Sequence, residues 1–110
     1  MKHSIYNVNN LTNSGTVQSN NNGSITSSSL TSTGFITAFA NLTFNNAKDF
    51  NNSGAIASNN VLTLNSNNLT NSGQIISSDN ISITALKSFI NNNQIVSDKD
   101  LTISASSLTN

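Results

Sequence analysis

The sequence predicts an all-β fold, a right-handed parallel β-helix (a solenoid) of five to six coils. The chain repeats itself every 19 or 20 residues, and a short fixed period is typical of solenoids, whose units bury their apolar faces by stacking. Within each repeat, apolar residues lie two apart, as on one side of a strand. No segment sustains the 3.6-residue spacing of an amphipathic helix. Each repeat is therefore expected to form two or three short strands joined by turns.

The repeats align without a gap over their first fifteen positions, and only their last stretch varies, by one residue. Most of them open with a variant of the phrase Leu-Thr-Asn-Ser-Gly. Residues 11–110 are predicted to form the β-helical repeat region, and residues 1–10 a partial N-terminal coil. The repeats begin at Leu11, Leu30, Phe50, Leu69 and Phe89, with a partial one at Leu108.

Four positions of the repeat are predicted to point into the core and to stack as ladders about 4.7–4.8 Å apart. Position 1 is the large apolar residue that opens each repeat. Position 7 holds Val17, Ile36, Ile56, Ile75 and Ile95. Positions 13 and 15 hold the pairs Leu42 and Phe44, Leu62 and Leu64, Ile81 and Ile83, Leu101 and Ile103, and, as a weaker version, Gly23 and Ile25.

Position 3 is predicted to form a ladder of asparagine side chains. Amides stacked one per coil can hydrogen-bond along the column, as they do in amyloid-type ladders. The members are Asn13, Asn52, Asn71 and Asn91, interrupted by Ser32.

Position 5 is glycine in four repeats and Asn93 in the fifth. Glycine adopts positive φ without steric cost, and asparagine is one of its commonest substitutes in the left-handed region. The pattern therefore predicts a positive-φ corner at this position.

The chain has four lysines and four aspartates, so its formal net charge is zero. No basic patch exists that could capture a phosphate backbone, and nucleic acid is not an expected partner. Seven charged residues lie in the repeats, and all are predicted to lie in turns and none to point inward. They are Lys48, Asp49, Asp79, Lys87, Asp98, Lys99 and Asp100.

The chain has no cysteine and no proline, so disulfides and thiolate metal sites are excluded and every backbone N–H can join a ladder. Its first residues lack the apolar core of a signal peptide, and no stretch approaches the roughly 18–20 apolar residues of a membrane span. We therefore expect no membrane insertion and no export signal in the chain itself.

Two other solenoids are disfavoured. Helical repeats need units of about 33 residues or more. The stretch from Leu62 to Leu69 matches part of the leucine-rich consensus, but the repeat with Ile81 and Ile83 has no asparagine at the required place.

No residue is predicted to be catalytic, to bind a cofactor or to ligate a metal. His3 is the only histidine, lies near the terminus, and has no partner for a zinc site or a serine triad. Asp79, Asp98 and Asp100 would come together on one edge of adjacent coils, where carboxylates can bind calcium. Lys99 lies among them, and no calcium-binding repeat motif occurs, so solvated turn charges are the preferred interpretation.

Two surface features remain as candidates. Phe35 and Phe39 fall at nominally outward positions and could form a small apolar docking patch. Six Asn-x-Ser/Thr sequons also occur, which a composition of about half Asn, Ser and Thr produces by accident. They lie at Asn10, Asn22, Asn41, Asn51, Asn68 and Asn80.

The repeat resembles that of the filamentous haemagglutinin family, large exoproteins exported by two-partner secretion in Gram-negative bacteria. Its hallmark is a phrase of the type Leu-x-Asn-x-Gly-x-Ile followed by a short strand of the type Leu-Thr-Leu. Here it reads Leu69-Thr-Asn-Ser-Gly73-Gln-Ile75 followed by Ile81-Ser-Ile83. The resemblance covers about residues 5–110. Asn and Ser replace the Gly-Gly and Gly-Asp turns that the family favours.

The resemblance implies a segment of a β-helical shaft, from a secreted or surface-exposed adhesin or from the stalk of a contact-dependent inhibition toxin. Its implied partners are a host glycan or surface protein, and, for the full-length parent, an outer-membrane secretion transporter. Some adhesins of the family are glycosylated on sequons.

We expect a non-catalytic structural and adhesive module without cofactors. Pectate-lyase-type enzymes share the predicted fold, but their sites need charged residues clustered on one face. A self-assembling fibre is the third alternative, since both ends of a coil expose unpaired strand edges, and end-to-end association would follow. Light scattering against concentration tests that alternative.

Overall fold

The chain forms a parallel β-helix, which the computed structural model describes for residues 4–110, with side chains from residue 6 onward. His3 therefore lies outside the described residues. This part of the chain contains strands and no helix, so the all-β prediction is confirmed. The strands are β1 (Ser4–Asn7), β2 (Asn10–Asn13), β3 (Thr16–Ser19), β4 (Gly23–Ser27), β5 (Ser29–Ser32), β6 (Phe35–Ala38), β7 (Leu42–Asn46), β8 (Asp49–Asn52), β9 (Ala55–Ser58), β10 (Leu62–Asn71), β11 (Gln74–Ser77), β12 (Ile81–Asn91), β13 (Gln94–Ser97) and β14 (Leu101–Thr109).

The strands build two sheets that face each other across the core. One is nine-stranded and the other five-stranded, and every pairing between strands is parallel. The five-stranded sheet takes one strand from each coil, in the order β3, β6, β9, β11, β13. The nine-stranded sheet takes two segments per coil, which are separate strands in the first coils and merge in β10, β12 and β14.

The repeat register is confirmed residue by residue. Leu11 pairs with Leu30, and the same column continues through Phe50, Leu69, Phe89 and Leu108. The position-7 column runs in the same way on the five-stranded sheet. Because these columns stay aligned from coil to coil, their apolar side chains form continuous ladders.

The apolar ladders form one core. Sixteen hydrophobic residues are buried in it, including the three phenylalanines Phe44, Phe50 and Phe89, none of which is exposed at all. The rings of Phe44 and Phe50 meet edge to face with their centroids 5.0 Å apart, a favoured aromatic geometry. The ladder residues of the last coil are more open, since Leu101 and Leu108 are 44% and 54% exposed.

The prediction of a positive-φ corner at position 5 is wrong. No described residue, glycine or other, has positive φ. The glycines serve a different purpose: a Cβ atom on Gly34, Gly54 or Gly73 would overlap the backbone of the preceding coil. Close approach of the coils therefore favours glycine at these three places, and a positive-φ turn does not.

The prediction that the charges lie in turns holds for five residues and fails for two. Asp49 is the first residue of β8, and Lys87 lies inside β12. Both are exposed, and none of the seven side chains is buried. The prediction that no charged side chain points inward is consistent with this exposure. The strands themselves are longer than predicted, because β8 already begins at Asp49 and β12 continues past Lys87.

The one-residue variation in repeat length is accommodated at a single corner. The register of β10 against β12 shifts between Ser66 and Asn68, where β12 has one residue more. The extra residue lies at Leu86 and Lys87, and Leu86 is 67% exposed. Such a β-bulge lets a longer coil keep its core ladder in register.

Residues 4–110 contain no helix that is long and apolar enough to cross a membrane.

Candidate functional surfaces

The asparagine ladder at position 3 lies inside the wall and joins successive coils. Asn52 Nδ2 donates to Asn71 Oδ1 at 2.8 Å, and Asn71 Nδ2 donates to Asn91 Oδ1 at 2.9 Å. Asn91 Nδ2 continues the column to Asn110 Oδ1 at 2.9 Å. The same amides also donate to backbone carbonyls, as Asn52 does to Gln74 O at 3.1 Å. The predicted ladder is confirmed.

Ser32 breaks this ladder on one side only. Its hydroxyl oxygen accepts a hydrogen bond from Asn13 Nδ2 at 3.2 Å. On the other side Asn52 Oδ1 is buried without a partner among the described residues. The shorter serine side chain therefore leaves one acceptor of the ladder unused.

Two further polar ladders were not predicted. Inside the wall, Ser27 Oγ donates to Asn46 Oδ1 at 2.8 Å and Asn46 Nδ2 donates to Ser66 Oγ at 3.1 Å. Serine and asparagine alternate in this column, so no single residue type marks it in the sequence.

The second unpredicted ladder lies at position 12, before the second apolar pair. Asn22 Oδ1 accepts the backbone N–H of Asn41, and Asn41 Oδ1 accepts that of Val61, both at 3.0 Å. Asn80 Oδ1 accepts the N–H of Asp100 in the same way, at 3.0 Å. The asparagine that stands at position 12 in three of the five repeats, Asn22, Asn41 and Asn80, was the signal that could have revealed it.

The carboxylates considered for calcium lie on one edge, as expected. Asp79 Oδ2 lies 3.5 Å from Lys99 Nζ, and Asp79 Oδ1 accepts the backbone N–H of Asn80. Asp98 and Asp100 are exposed. Within residues 4–110 no three His, Cys, Asp or Glu side chains are grouped so that they could hold a metal ion. This edge therefore carries one ion pair, between Lys99 and Asp79, and two further exposed carboxylates.

The sequon asparagines differ in how far their side chains are engaged. The oxygen atoms of Asn22, Asn41 and Asn80 belong to the position-12 ladder described above. Asn68 donates to Asp49 Oδ1 at 2.9 Å and accepts from Ser88 Oγ at 3.0 Å. The two remaining ones, Asn10 and Asn51, are exposed and have no side-chain hydrogen bond among the described residues.

The two outward phenylalanines are confirmed as exposed. Phe35 and Phe39 are 56% and 55% exposed. Phe35 is the first residue of β6 and Phe39 follows its last residue, while the next coil places Ala55 beside Phe35 and Ala57 beside Thr37. Phe35 therefore has a small side chain as its neighbour on the next coil.

Two clefts open on the surface of the described residues. At the last coil, a cleft of about 710 Å³ opens onto the core ladders between Phe89, Ile95 and Leu108. At the bulged corner, a cleft of about 310 Å³ lies beside the shorter coil between two longer ones. The lining of this second cleft is Asn46, Ala47, Asn65, Ser66, Asn67, Thr84 and Leu86.

The fold and these surfaces define a β-solenoid repeat protein, with about 19 residues per coil. Comparison of the chain with models of protein families, with curated proteins and with solved structures gives no match.

Proposed function

We propose that the chain is a segment of a non-catalytic, adhesive β-helical shaft of the filamentous haemagglutinin type. In this proposal the chain is part of a larger exoprotein that reaches the cell surface or the medium through an outer-membrane transporter. The shaft holds a binding region away from the cell and presents it to a host glycan or surface protein.

The observation that carries the proposal is the continuity of the ladders. The apolar column from Leu11 to Leu108 and the amide column from Asn52 to Asn110 stay paired from coil to coil, on either side of the bulged corner. Each added coil repeats the same contacts, so rigidity and stability accumulate along the axis. A solenoid with these properties is suited to act as a rigid rod.

The roles of the phrase residues support the family assignment. In Leu69-Thr-Asn-Ser-Gly73-Gln-Ile75, Leu69 and Ile75 are buried in the core and Asn71 belongs to the buried amide ladder. Gly73 permits close approach of the preceding coil. Every fixed letter of the phrase thus has a stacking function, which explains why the phrase recurs.

The stalk of a contact-dependent inhibition toxin is the second candidate within the same class, because such a stalk needs the same rod. The sequence that encodes the flanking regions distinguishes the two. An upstream secretion domain and an adjacent transporter gene support the class, and a toxic domain downstream favours the stalk.

The adhesive function is tested with beads coated with the purified chain. We expect such beads to adhere to cultured epithelial cells above the level of beads coated with albumin. Adherence equal to that of albumin-coated beads contradicts the adhesive part of the proposal. It does not contradict the proposal that the chain is part of a shaft.

The enzymatic alternative is tested by incubating the purified chain with a panel of polysaccharides and measuring released reducing ends. We expect no turnover above a buffer control. Turnover that disappears in Asp98→Asn or Asp100→Asn contradicts the proposal.

A further inference from the structure

An asparagine is followed directly by a glycine at one place in the chain, Asn22–Gly23, where the corner leads into β4. The backbone nitrogen of the following residue can attack the side-chain carbon of an asparagine, and glycine favours this attack because it has no side chain in the way and a permissive backbone. Gly23 stands at position 13 of the repeat. The later coils hold Leu42, Leu62, Ile81 and Leu101 at this position.

In the folded chain, the backbone of Asn41 on the next coil holds both reacting groups. Gly23 N donates to Asn41 O at 2.8 Å, and Asn22 Oδ1 accepts from Asn41 N at 3.0 Å. Attack requires the nitrogen of Gly23 to lose its proton and to turn towards Asn22 Cγ. The first hydrogen bond holds that proton in the sheet ladder, and the second keeps the side chain directed at the next coil.

Two further hydrogen bonds fix the backbone of Asn22. Its N–H donates to Asn21 Oδ1 at 2.9 Å, and its carbonyl oxygen accepts from Ser19 Oγ at 2.8 Å. Gly23 itself is buried. A five-membered ring closed through this peptide would disturb these bonds together with the two to Asn41, so ring closure requires the corner to open.

We propose that Asn22 is the preferred site of spontaneous deamidation in this chain, and that local opening of the first coil limits its rate. The nitrogen of Gly23 forms a bond to Asn22 Cγ, and the side-chain nitrogen leaves as ammonia with the proton that the backbone nitrogen gives up. Water then opens the cyclic imide at either carbonyl, which gives aspartate or isoaspartate. This inference does not rest on the proposed adhesive function.

The first coil should open more easily than the coils in the middle. Its ladder residues Leu11 and Val17 are only partly buried, whereas Leu30 and Ile36 of the second coil are 1% and 0% exposed. Gly23 contributes no side chain to the core. A smaller buried apolar surface lowers the free energy of local opening, and coils of a solenoid can open separately because each contacts only its neighbours.

The two products have different effects on the corner. Aspartate at position 22 keeps an oxygen atom that can accept the N–H of Asn41. Isoaspartate adds one methylene group to the backbone directly before β4, which shifts Gly23 relative to its partner Leu42. The isoaspartyl product should therefore hold the first coil less firmly than the parent chain does.

The test incubates the folded chain, and the same chain denatured in guanidinium chloride, in one mildly alkaline buffer. Peptide mapping by mass spectrometry locates each conversion of an asparagine to an acid, and enzymatic methylation detects isoaspartate. We expect Asn22 to convert fastest of all asparagines in the denatured chain, and at least about tenfold more slowly in the folded chain. In Gly23→Ala, the rate at Asn22 in the denatured chain should fall to the range of the other asparagines.

Ile25→Val tests whether opening of the first coil limits the rate. Ile25 is buried in β4, and the loss of one methylene group weakens the core of this coil, which should speed conversion of Asn22 in the folded chain about two- to tenfold. Ile83→Val is the matched control, because Ile83 holds the same position three coils further on and is comparably buried. It should leave the rate at Asn22 unchanged. Unchanged circular dichroism shows that both variants are folded.

Equal rates at Asn22 in the folded and the denatured chain would overturn the protection by Asn41. Faster conversion of another asparagine in the denatured chain, or an unchanged rate in Gly23→Ala, would overturn the choice of site. Local opening is overturned if Ile25→Val leaves the rate unchanged, or if Ile83→Val raises it as much, because the chain would then open as a whole. Bead adherence and the turnover assay do not depend on any of these results.

Discussion

The carbonyl oxygen of Gly34 occupies the space that a Cβ atom on Gly54, one coil further along, would need. The same relationship links Gly15 to Gly34 and Gly54 to Gly73. The coils therefore touch backbone to backbone at this corner. Across it Phe35 N bonds to Gly15 O at 2.8 Å and Ala55 N to Gly34 O at 2.9 Å.

Gly54→Ala should destabilise the chain by about 1–3 kcal/mol, because the new methyl group forces two coils apart. Gly15→Ala is the matched control, since nothing lies within 4 Å of its Cβ position. Urea unfolding followed by circular dichroism measures both. Equal stability of the two variants would show that the corner is not held by close contact.

Asn93 shows what a side chain does at this position. The bond from Gln94 N to Gly73 O is 3.2 Å, against 2.9 Å for the equivalent bond from Gln74 N to Gly54 O. This bond is the longest of the four equivalent ones at the corner. The Asn93 amide donates to Ser72 O at 3.2 Å.

Ser32→Asn should stabilise the chain by about 1 kcal/mol, the usual net value of one buried hydrogen bond. The new amide can donate to Asn52 Oδ1, which now has no partner among the described residues. Coils with asparagine at this position show that the wall has room for it. Thermal unfolding checks the sign, and a lower midpoint for the variant than for the parent would contradict the ladder argument.

Asn71→Ala should cost about 2–4 kcal/mol, because several buried partners lose their hydrogen bonds together. Its side chain bonds to Asn52, Asn91 and the carbonyl of Gln94. Asn65→Ala is the control, since its amide makes a comparable bond to Asn45 at 3.1 Å on the exposed side. We expect that change to stay within about 0.5 kcal/mol.

A cost for Asn71→Ala no larger than that for Asn65→Ala would contradict the buried ladder. Chemical denaturation of both variants in parallel supplies the comparison.

The sequence was sufficient for the features that repeat by residue type. The columns that begin at Leu11 and Val17 are visible as letters, and so are the amides at Asn52 and Asn71. Each coil buries the same positions and therefore needs the same residue types there, so the repeat period is enough to predict the fold. The two exposed phenylalanines were also predictable, since period two places Phe35 and Phe39 on the side opposite Ile36.

The features that the sequence did not give depend on contacts between coils. Glycine at position 5 fits both a positive-φ turn and a close approach, and only the position of the Gly34 carbonyl decides between them. The column Ser27–Asn46–Ser66 is united by hydrogen bonding and not by residue type. Lys87 lies in a strand because the bulge continues β12 through the corner.

Gly23→Ala should stabilise the chain by roughly 0.5–1 kcal/mol, since glycine in a strand costs conformational entropy. Gly23 stands where the other coils have leucine or isoleucine, and a small gap of about 10 Å³ lies beside it. Its new Cβ would lie 3.1 Å from Leu42 Cδ1, the end of a flexible side chain that can yield. Thermal unfolding tests this, and a loss of stability would show that Leu42 cannot move.

Lys99→Ala should change the free energy of unfolding by less than about 0.5 kcal/mol, because exposed ion pairs contribute little. The Lys99 side chain is 64% exposed, and its 3.5 Å contact to Asp79 is the ion pair seen within residues 4–110. For the same reason, raising the salt from about 0.01 M to about 1 M, which shortens the Debye length from about 30 to about 3 Å, should leave the urea midpoint nearly unchanged. A marked salt dependence in the parent that Lys99→Ala removes would show that this edge stabilises the solenoid. In that case the charged edge, and not the uncharged ladders alone, would have to be counted among the interactions that hold successive coils together.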